Sequence, residues 1–521
     1  MSAVIVREEL VRVKVRRLKI ALLLVIWSST GHAEKSSNSS LSQGIKLLQQ
    51  GNIESALLVL QRTVSENPGS DQAHTYYGLA LRKTGANEKA ITEFRKALDL
   101  NPRSDEALLN LGTTLALVGD LEGSMGALQT AVRQRPDGTE AQIELGKLYV
   151  RLGDKVRAVD QFRKLVASNP ESAEAHDLLG TALRQNGELD GAIVAFRRAV
   201  SIDTKSVPFL INLAQALRDQ RNWDAALECH RRIVILRPDS AESYSDLGYT
   251  LRRSDRLPEA LEALRRAVAL SPVLARAHFY LAETLMQTGD ADGGLREYEK
   301  ATRLDPKDAE FSFKLALALA KNGSPDATAE LRRAAALDPN NPTVHRALGM
   351  QLRRNGELQS ASEEFNRADE LTSEAERHAD AVIHTKEAIQ HLKEGNLSKA
   401  VEELQLALKA EPDSPDARHL LGVALGTSGR RIEARQAFVA ALEKRPSDPE
   451  IHFNFGVFLG NESDWQGAIR ELKAALNLRP SYLQARCLLA NALARVGDSN
   501  AANLELEKAR ELGRCSLEPA K

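Results

Sequence analysis

FRKALDLNPRSDEALLNLGTTLALVGD, residues 94–120, holds one proline, one Gly-Asp pair and a band of Leu and Ala. Pro102 is not isolated. Steps of 34 residues along the chain connect Pro68, Pro102, Pro136 and Pro170, then Pro238, Pro272 and Pro306. The series continues at Pro339, Pro412, Pro446 and Pro480, with a missing beat at Thr204, a one-residue shortening before Pro339 and an offset before Pro412. A feature that recurs at such an interval belongs to a repeated unit that stacks on its neighbours. Between the prolines, Leu and Ala recur at i, i+3, i+4 and i+7 in two windows per unit, which means two amphipathic helices.

Let the proline be position 32 of each unit. Position 8 is then Gly or Ala throughout, as in Gly78, Gly112, Gly146, Gly180, Ala214 and Gly248. Position 20 is mostly Ala (Ala90, Ala158, Ala192, Ala226), with Ser124 and Gly294 as small substitutes. Position 24 is mostly large and apolar, as in Phe94, Leu128, Phe162 and Phe196. Small side chains at 8 and 20 let the two helices of a unit approach closely. Gly stands at position 15 in eleven of fourteen units, Gly119 among them. There it can take the left-handed conformation that closes the first helix and opens the turn to the second. The proline lies just past the second helix, which it cannot continue, and so fixes the turn into the next unit.

These positions resemble the tetratricopeptide repeat family over residues 37–516, in fourteen units. The fold expected is all-α, a solenoid of tandem antiparallel helix pairs in which each pair buries its apolar face only by stacking. The resemblance implies a right-handed superhelix whose first helices line a concave groove. It also implies that a protein or peptide segment binds there, through positions 2, 5, 6, 9, 12 and 13 of the first helices.

Irregularities suggest the organisation. Repeat 6 replaces the turn glycine with Arg221, and repeat 9 is shortened in NGSPDA (322–327). ELTSEAERHADAVIHTK (370–386) carries five extra residues, where Thr372 or Ser373 is expected to cap a helix starting near Glu374 and running into repeat 11. The expected divisions are a leader at 1–33, a linker at 34–36, a first array at 37–375, a helical joint at 376–380, a second array at 381–516 and a tail at 517–521.

The leader has the layout of a signal peptide. Lys14, Arg16, Arg17 and Lys19 precede the apolar run IALLLVIW (20–27), and small residues at Gly31 and Ala33 flank His32 before the expected cleavage. The run is far shorter than the roughly 20 residues of a spanning helix. A periplasmic or secreted protein with no stable membrane span after cleavage is expected; an uncleaved membrane anchor is the alternative. The net charge is only −1, against the marked basic excess of a general nucleic-acid binder. Cys229, Cys487 and Cys515 are too few for a disulfide framework. Cys487 and Cys515, at the two ends of the last repeat, could approach each other, but one buried and one exposed thiol is the expectation.

No catalytic constellation emerges. The chain lacks a phosphate loop ending in Lys-Ser/Thr, a zinc-protease His-Glu pattern and a paired-Cys zinc site. The glycines of GVALGTSGR (422–430) fall on repeat positions 8, 12 and 15. His74, His176, His278, His345, His384 and His452 all occupy position 4, and that regularity means scaffold. His384, Glu387 and His391 share one helix face near His378, but two turns separate the two ring nitrogens, and neither metal nor cofactor is expected.

The groove remains. Arg82, Arg184, Arg218, Arg252 and Arg353 occupy position 12, and Asn110, Asn212 and Asn454 position 6. Asn pairs with peptide backbone and Arg takes carboxylates in bidentate fashion. Repeats 6 to 9 gather the expected partner-binding set: Asn212, Arg218, Tyr249, Arg252, Phe279, Tyr280 and Phe313. The function expected is an exported, non-enzymatic scaffold supporting assembly of an envelope or secreted complex. A regulatory or targeting subunit of a separate enzyme or polymer-export machine, and a self-associating structural protein, are the rivals; the oligomeric state is left open.

Overall fold

The structure, a computed structural model, describes residues 39–512 and Cys515. The leader with its cleavage after Ala33, the linker 34–36 and the tail 517–521 lie outside the described residues. Every regular element among the described residues is a helix, from residues 39–49 and Ile53–Glu66 to Ser499–Leu512. No described helix is long and apolar enough to cross a membrane.

The opening stretch shows how one unit is punctuated. Helix Asn87–Leu100 ends at Asn101, whose amide donates to the Ala97 carbonyl. After Pro102, Ser104 caps helix Asp105–Val118 by accepting the Ala107 amide at 3.3 Å. Gly119 then takes φ 89°, and Asp120 caps Leu121–Gln134 by accepting the Gly123 amide at 2.9 Å. The helices after Ser104 and Asp120 thus start on a side chain that satisfies an otherwise orphaned amide.

The left-handed residue recurs at position 15 of all fourteen units. Eleven are glycines, and the other three are Arg221, Asp255 and Ser463, with φ of 60°, 60° and 61°. The glycine at position 8 has a different purpose. A Cβ on Gly146 would lie 2.4 Å from the Phe162 ring, and one on Gly248 2.4 Å from Leu264. The large side chain of the second helix fills the space that glycine leaves, so Phe94, Phe162, Phe196 and Phe438 are fully buried.

The described residues form two compact units, divided between Pro170 and Glu171. In the first, Asp71–Lys83 packs on Asp105–Val118, and that helix on Thr139–Arg151. In the second, Ala241–Arg253 packs on Ala275–Gln287, and Pro415–Thr427 on Pro449–Asn461. Successive first helices therefore touch, while successive second helices make no comparable contact, which puts the first helices on the inner side of each stack.

Two expectations need correction. No helix starts at Thr372 or Ser373: Leu358–Lys393 is one 36-residue helix that fuses the second helix of repeat 10 to the first of repeat 11. The segment holds neither Gly nor Pro, and Thr372 donates its hydroxyl back to the Ala368 carbonyl at 2.8 Å instead of capping. The expected joint at 376–380 lies inside this helix. Cys487 and Cys515, expected as separate thiols, form a disulfide with Cα atoms 5.8 Å apart. The antiparallel last helix returns the chain to the level where helix Leu483–Arg495 begins. Cys229 is a buried free cysteine, and burial pushes its thiol up to about 11.

Candidate functional site

The seven expected groove residues come from four first helices of the second unit: Val207–Asp219, Ala241–Arg253, Ala275–Gln287 and Ala309–Lys321. Tyr249, Arg252, Phe279 and Tyr280 come together around a recess of about 900 Å³, which Arg253, Arg276, Glu283 and Lys314 also line. The rings of Tyr249 and Tyr280 stand 4.9 Å apart. The Arg218 guanidinium lies 4.5 Å over the Tyr249 ring and that of Arg252 5.7 Å from it. Phe279 forms the floor: it is only 3% exposed and stacks on Phe311 at 4.6 Å. Phe313 stands apart from this group, half-buried against Ala316, Leu331 and Ala347.

The recess carries both signs of charge. Arg252 donates to Glu283 at 2.6 Å, and Lys314 approaches the other oxygen of Glu283 at 3.6 Å. Arg218, Arg253 and Arg276 make no ion pair among the described residues; Arg253 lies over the Trp223 ring at 4.9 Å. Asp305, Asp308 and Glu310 line another part of the wall. Burial pushes the Asp246 carboxyl up, while Arg218 and Arg276 pull it back. Burial likewise raises the Tyr280 hydroxyl.

Much of the polar stripe is occupied within the stack. Position 12 reaches position 9 of the next unit, 31 residues on. Arg82 donates to Thr113 at 2.6 Å, Arg184 to Gln215 at 3.2 Å, Arg218 covers Tyr249, and Arg252 holds Glu283. Position 6 reaches back 35 residues: Asn212 donates to Asp177 at 2.8 Å, and Asn454 pairs with His419 at 2.9 Å. Asn110 turns to its own helix, donating to the Glu106 carbonyl at 2.8 Å. These cross-links were not foreseen; the 31-residue spacing was their only trace, because the receiving residue type changes from unit to unit.

Family profiles described as Tetratricopeptide repeat match residues 41–104, 85–139, 143–207, 209–272, 279–342 and 391–452. The chain belongs to the tetratricopeptide repeat family. No curated protein matches it. Among solved structures it is similar to a MamA protein, at 28% identity and TM-score 0.29 over 33% of this chain and 94% of that one. It is also similar to YrrB, described as a TPR protein with an unusual peptide-binding site, at 23% identity and TM-score 0.32 over 35% and 95% of the two chains. The APC/C hetero-tetramer Cut9-Hcn1 matches at 18% identity and TM-score 0.32, over 86% and 95%.

In this tetratricopeptide repeat protein the recurring histidines serve the scaffold. His74 Nδ1 lies 2.6 Å from Glu93, on the second helix of its unit, and Nε2 lies 3.0 Å from the Pro68 carbonyl. His278 bridges Glu297 and Pro272, His345 bridges Glu364 and Pro339, and His452 bridges Glu471 and Pro446 in the same way. Gln142 and Arg486 use the same position to reach the carbonyls of Pro136 and Pro480. The recurring proline therefore does more than end a helix, since its carbonyl anchors the following first helix. His384 keeps its glutamate, Glu403, at 2.7 Å.

Proposed function

We propose that this tetratricopeptide repeat protein is an exported, non-enzymatic scaffold that holds a protein or peptide segment in the recess of repeats 7 to 9, supporting assembly of an envelope or secreted complex. The observation that carries this reading is the set of guanidiniums that form no ion pair among the described residues, Arg218, Arg253 and Arg276, beside the tyrosine pair Tyr249 and Tyr280. Arg and aromatic side chains on a concave surface are the residue types that most often dominate binding energy. The acidic wall of Glu283, Asp305, Asp308 and Glu310 favours a peptide of mixed charge over a nucleic acid. Two independent features support export: the basic-apolar-small leader, and the disulfide between Cys487 and Cys515, a bond that persists in oxidising compartments.

The test is affinity capture from envelope extract with the wild-type chain, Arg276→Glu and Tyr249→Ala. Recovery of the principal partner should fall about tenfold with either variant, as loss of a contact worth ~1.4 kcal/mol does. Equal recovery would remove the recess as the binding surface. Intact mass of the periplasmic fraction should show a chain lacking residues 1–33.

A further inference from the structure

In repeat 11 the histidine scaffold is altered in two ways at one place. The residue six before His384 is His378, inside helix Leu358–Lys393, so the proline carbonyl that receives Nε2 of His74, His278, His345 and His452 has no counterpart. In two of the other histidine repeats a lysine three residues on also holds the glutamate: Lys96 on Glu93 at 2.9 Å and Lys300 on Glu297 at 2.7 Å. Three residues after Glu403 stands Leu406. Position 7, which is Leu281, Leu348 and Phe455 beside three of the other histidines, is Glu387. As a result His384, Glu387 and Glu403 each place a potential ligand atom within 4.8 Å of the others. Neither glutamate pairs with a Lys or Arg among the described residues.

We infer that His384, Glu387 and Glu403 form a binding site for a divalent transition cation of the zinc class. Two carboxylates, neither paired with a Lys or Arg among the described residues, supply the countercharge. The imidazole supplies a borderline nitrogen donor, which suits zinc, whereas magnesium and calcium prefer oxygen ligands alone. His384 Nδ1 and Glu403 Oε2, 2.7 Å apart, exchange their mutual hydrogen bond for bonds to the cation. The side chains of His384 and Glu403 are 30% and 21% exposed, which leaves an entry path. The ligands come from Leu358–Lys393 and from Leu397–Ala410, so the cation ties these two helices together. Three protein ligands leave a position for water or for a side chain of a bound partner. Sequence reading considered His384 and Glu387 but paired them with His391 on the same helix; Glu403 arrives from the next helix, nineteen residues after His384.

The experiment is calorimetric titration of the metal-stripped full chain with Zn²⁺, and separately with Mg²⁺ and Ca²⁺. The variants are His384→Gln, Glu387→Gln and, as an internal control, His452→Gln. Saturable Zn²⁺ binding is expected, weakened at least about tenfold in His384→Gln and Glu387→Gln and unchanged in His452→Gln. Zn²⁺ should also raise the melting temperature of the wild-type chain and not of Glu387→Gln. Absence of saturable binding, equal binding by the His384 or Glu387 variants, or preference for Mg²⁺ or Ca²⁺ over Zn²⁺ would each overturn the assignment.

Discussion

Arg252 and Glu283, 31 residues apart in sequence, meet at 2.6 Å with each side chain only 14% exposed. The pair links the first helices of repeats 7 and 8. Arg252→Ala would leave Glu283 buried with only Lys314 at 3.6 Å, at a cost of about 2 kcal/mol. Arg252→Glu would set two carboxylates against each other and cost about 3 to 5 kcal/mol. Denaturant melts should rank wild type above Arg252→Ala above Arg252→Glu. For that reason Arg252 is a poor residue with which to probe partner binding, and the exposed Arg276 is the better one.

Gly146 lies under the Phe162 ring so closely that any Cβ would overlap it. Gly146→Ala should destabilise the first unit by about 1 to 3 kcal/mol through overpacking. Every Phe at position 24 faces Gly at position 8, whereas Ala388 faces Leu404 and Ala316 faces Leu331. The double variant Gly146→Ala/Phe162→Leu should therefore be more stable than Gly146→Ala alone. Chemical denaturation of the three chains gives the order.

Arg221, Asp255 and Ser463 hold left-handed backbone that glycine occupies in the other eleven units. A Cβ there costs roughly 1 to 2 kcal/mol. Glycine at each position should raise stability by about 1 kcal/mol, the remainder being offset by the greater freedom of an unfolded glycine. Unchanged or lower melting temperatures in all three variants would show that the local geometry bears no strain.

Two histidines give opposite pH dependence. His230 fills position 24 of repeat 6, is 3% exposed, and finds no partner for either ring nitrogen. Burial, with the charge of Arg218, pushes it down to about 4, so the unfolded chain, near 6.5, takes up the proton first. Its contribution is complete above about pH 6.5 and is lost as pH falls toward 4, by roughly 2 to 3 kcal/mol at the acid end. His452 is raised, first by its hydrogen bond to Glu471, so its contribution is present below about 6.5 and disappears as pH rises through the elevated value. Melts from pH 4.5 to 8 should show His230→Leu flattening the acid limb and His452→Gln the neutral-to-alkaline limb.

The architecture was legible because its signals are local. Pro102 and Gly119 bracket one helix and fix its ends whatever surrounds them. The inner surface was less so. Asn212 and Arg252 stand on first helices, but their type does not reveal that Asp177 and Glu283 already engage them. Those partners lie a whole unit away and change identity along the array, from Thr113 to Gln215 to Glu283. Thr372 shows the same limit on a smaller scale: its hydroxyl suits a helix cap or a helix interior equally well, and only the lack of a breaker through residue 393 decides. The places of Cys487 and Cys515 at the two ends of the last repeat let them approach, but residue type alone does not decide between a bond and two thiols.

Site-specific photocrosslinking from position 314, in the recess, and from position 235, where Ile235 is 77% exposed on a second helix, tests the partner surface most directly. The groove reading predicts partner adducts from 314 that disappear with Arg276→Glu, and none from 235. Adducts from 235 alone, or adducts from 314 that persist undiminished in Arg276→Glu, would contradict it.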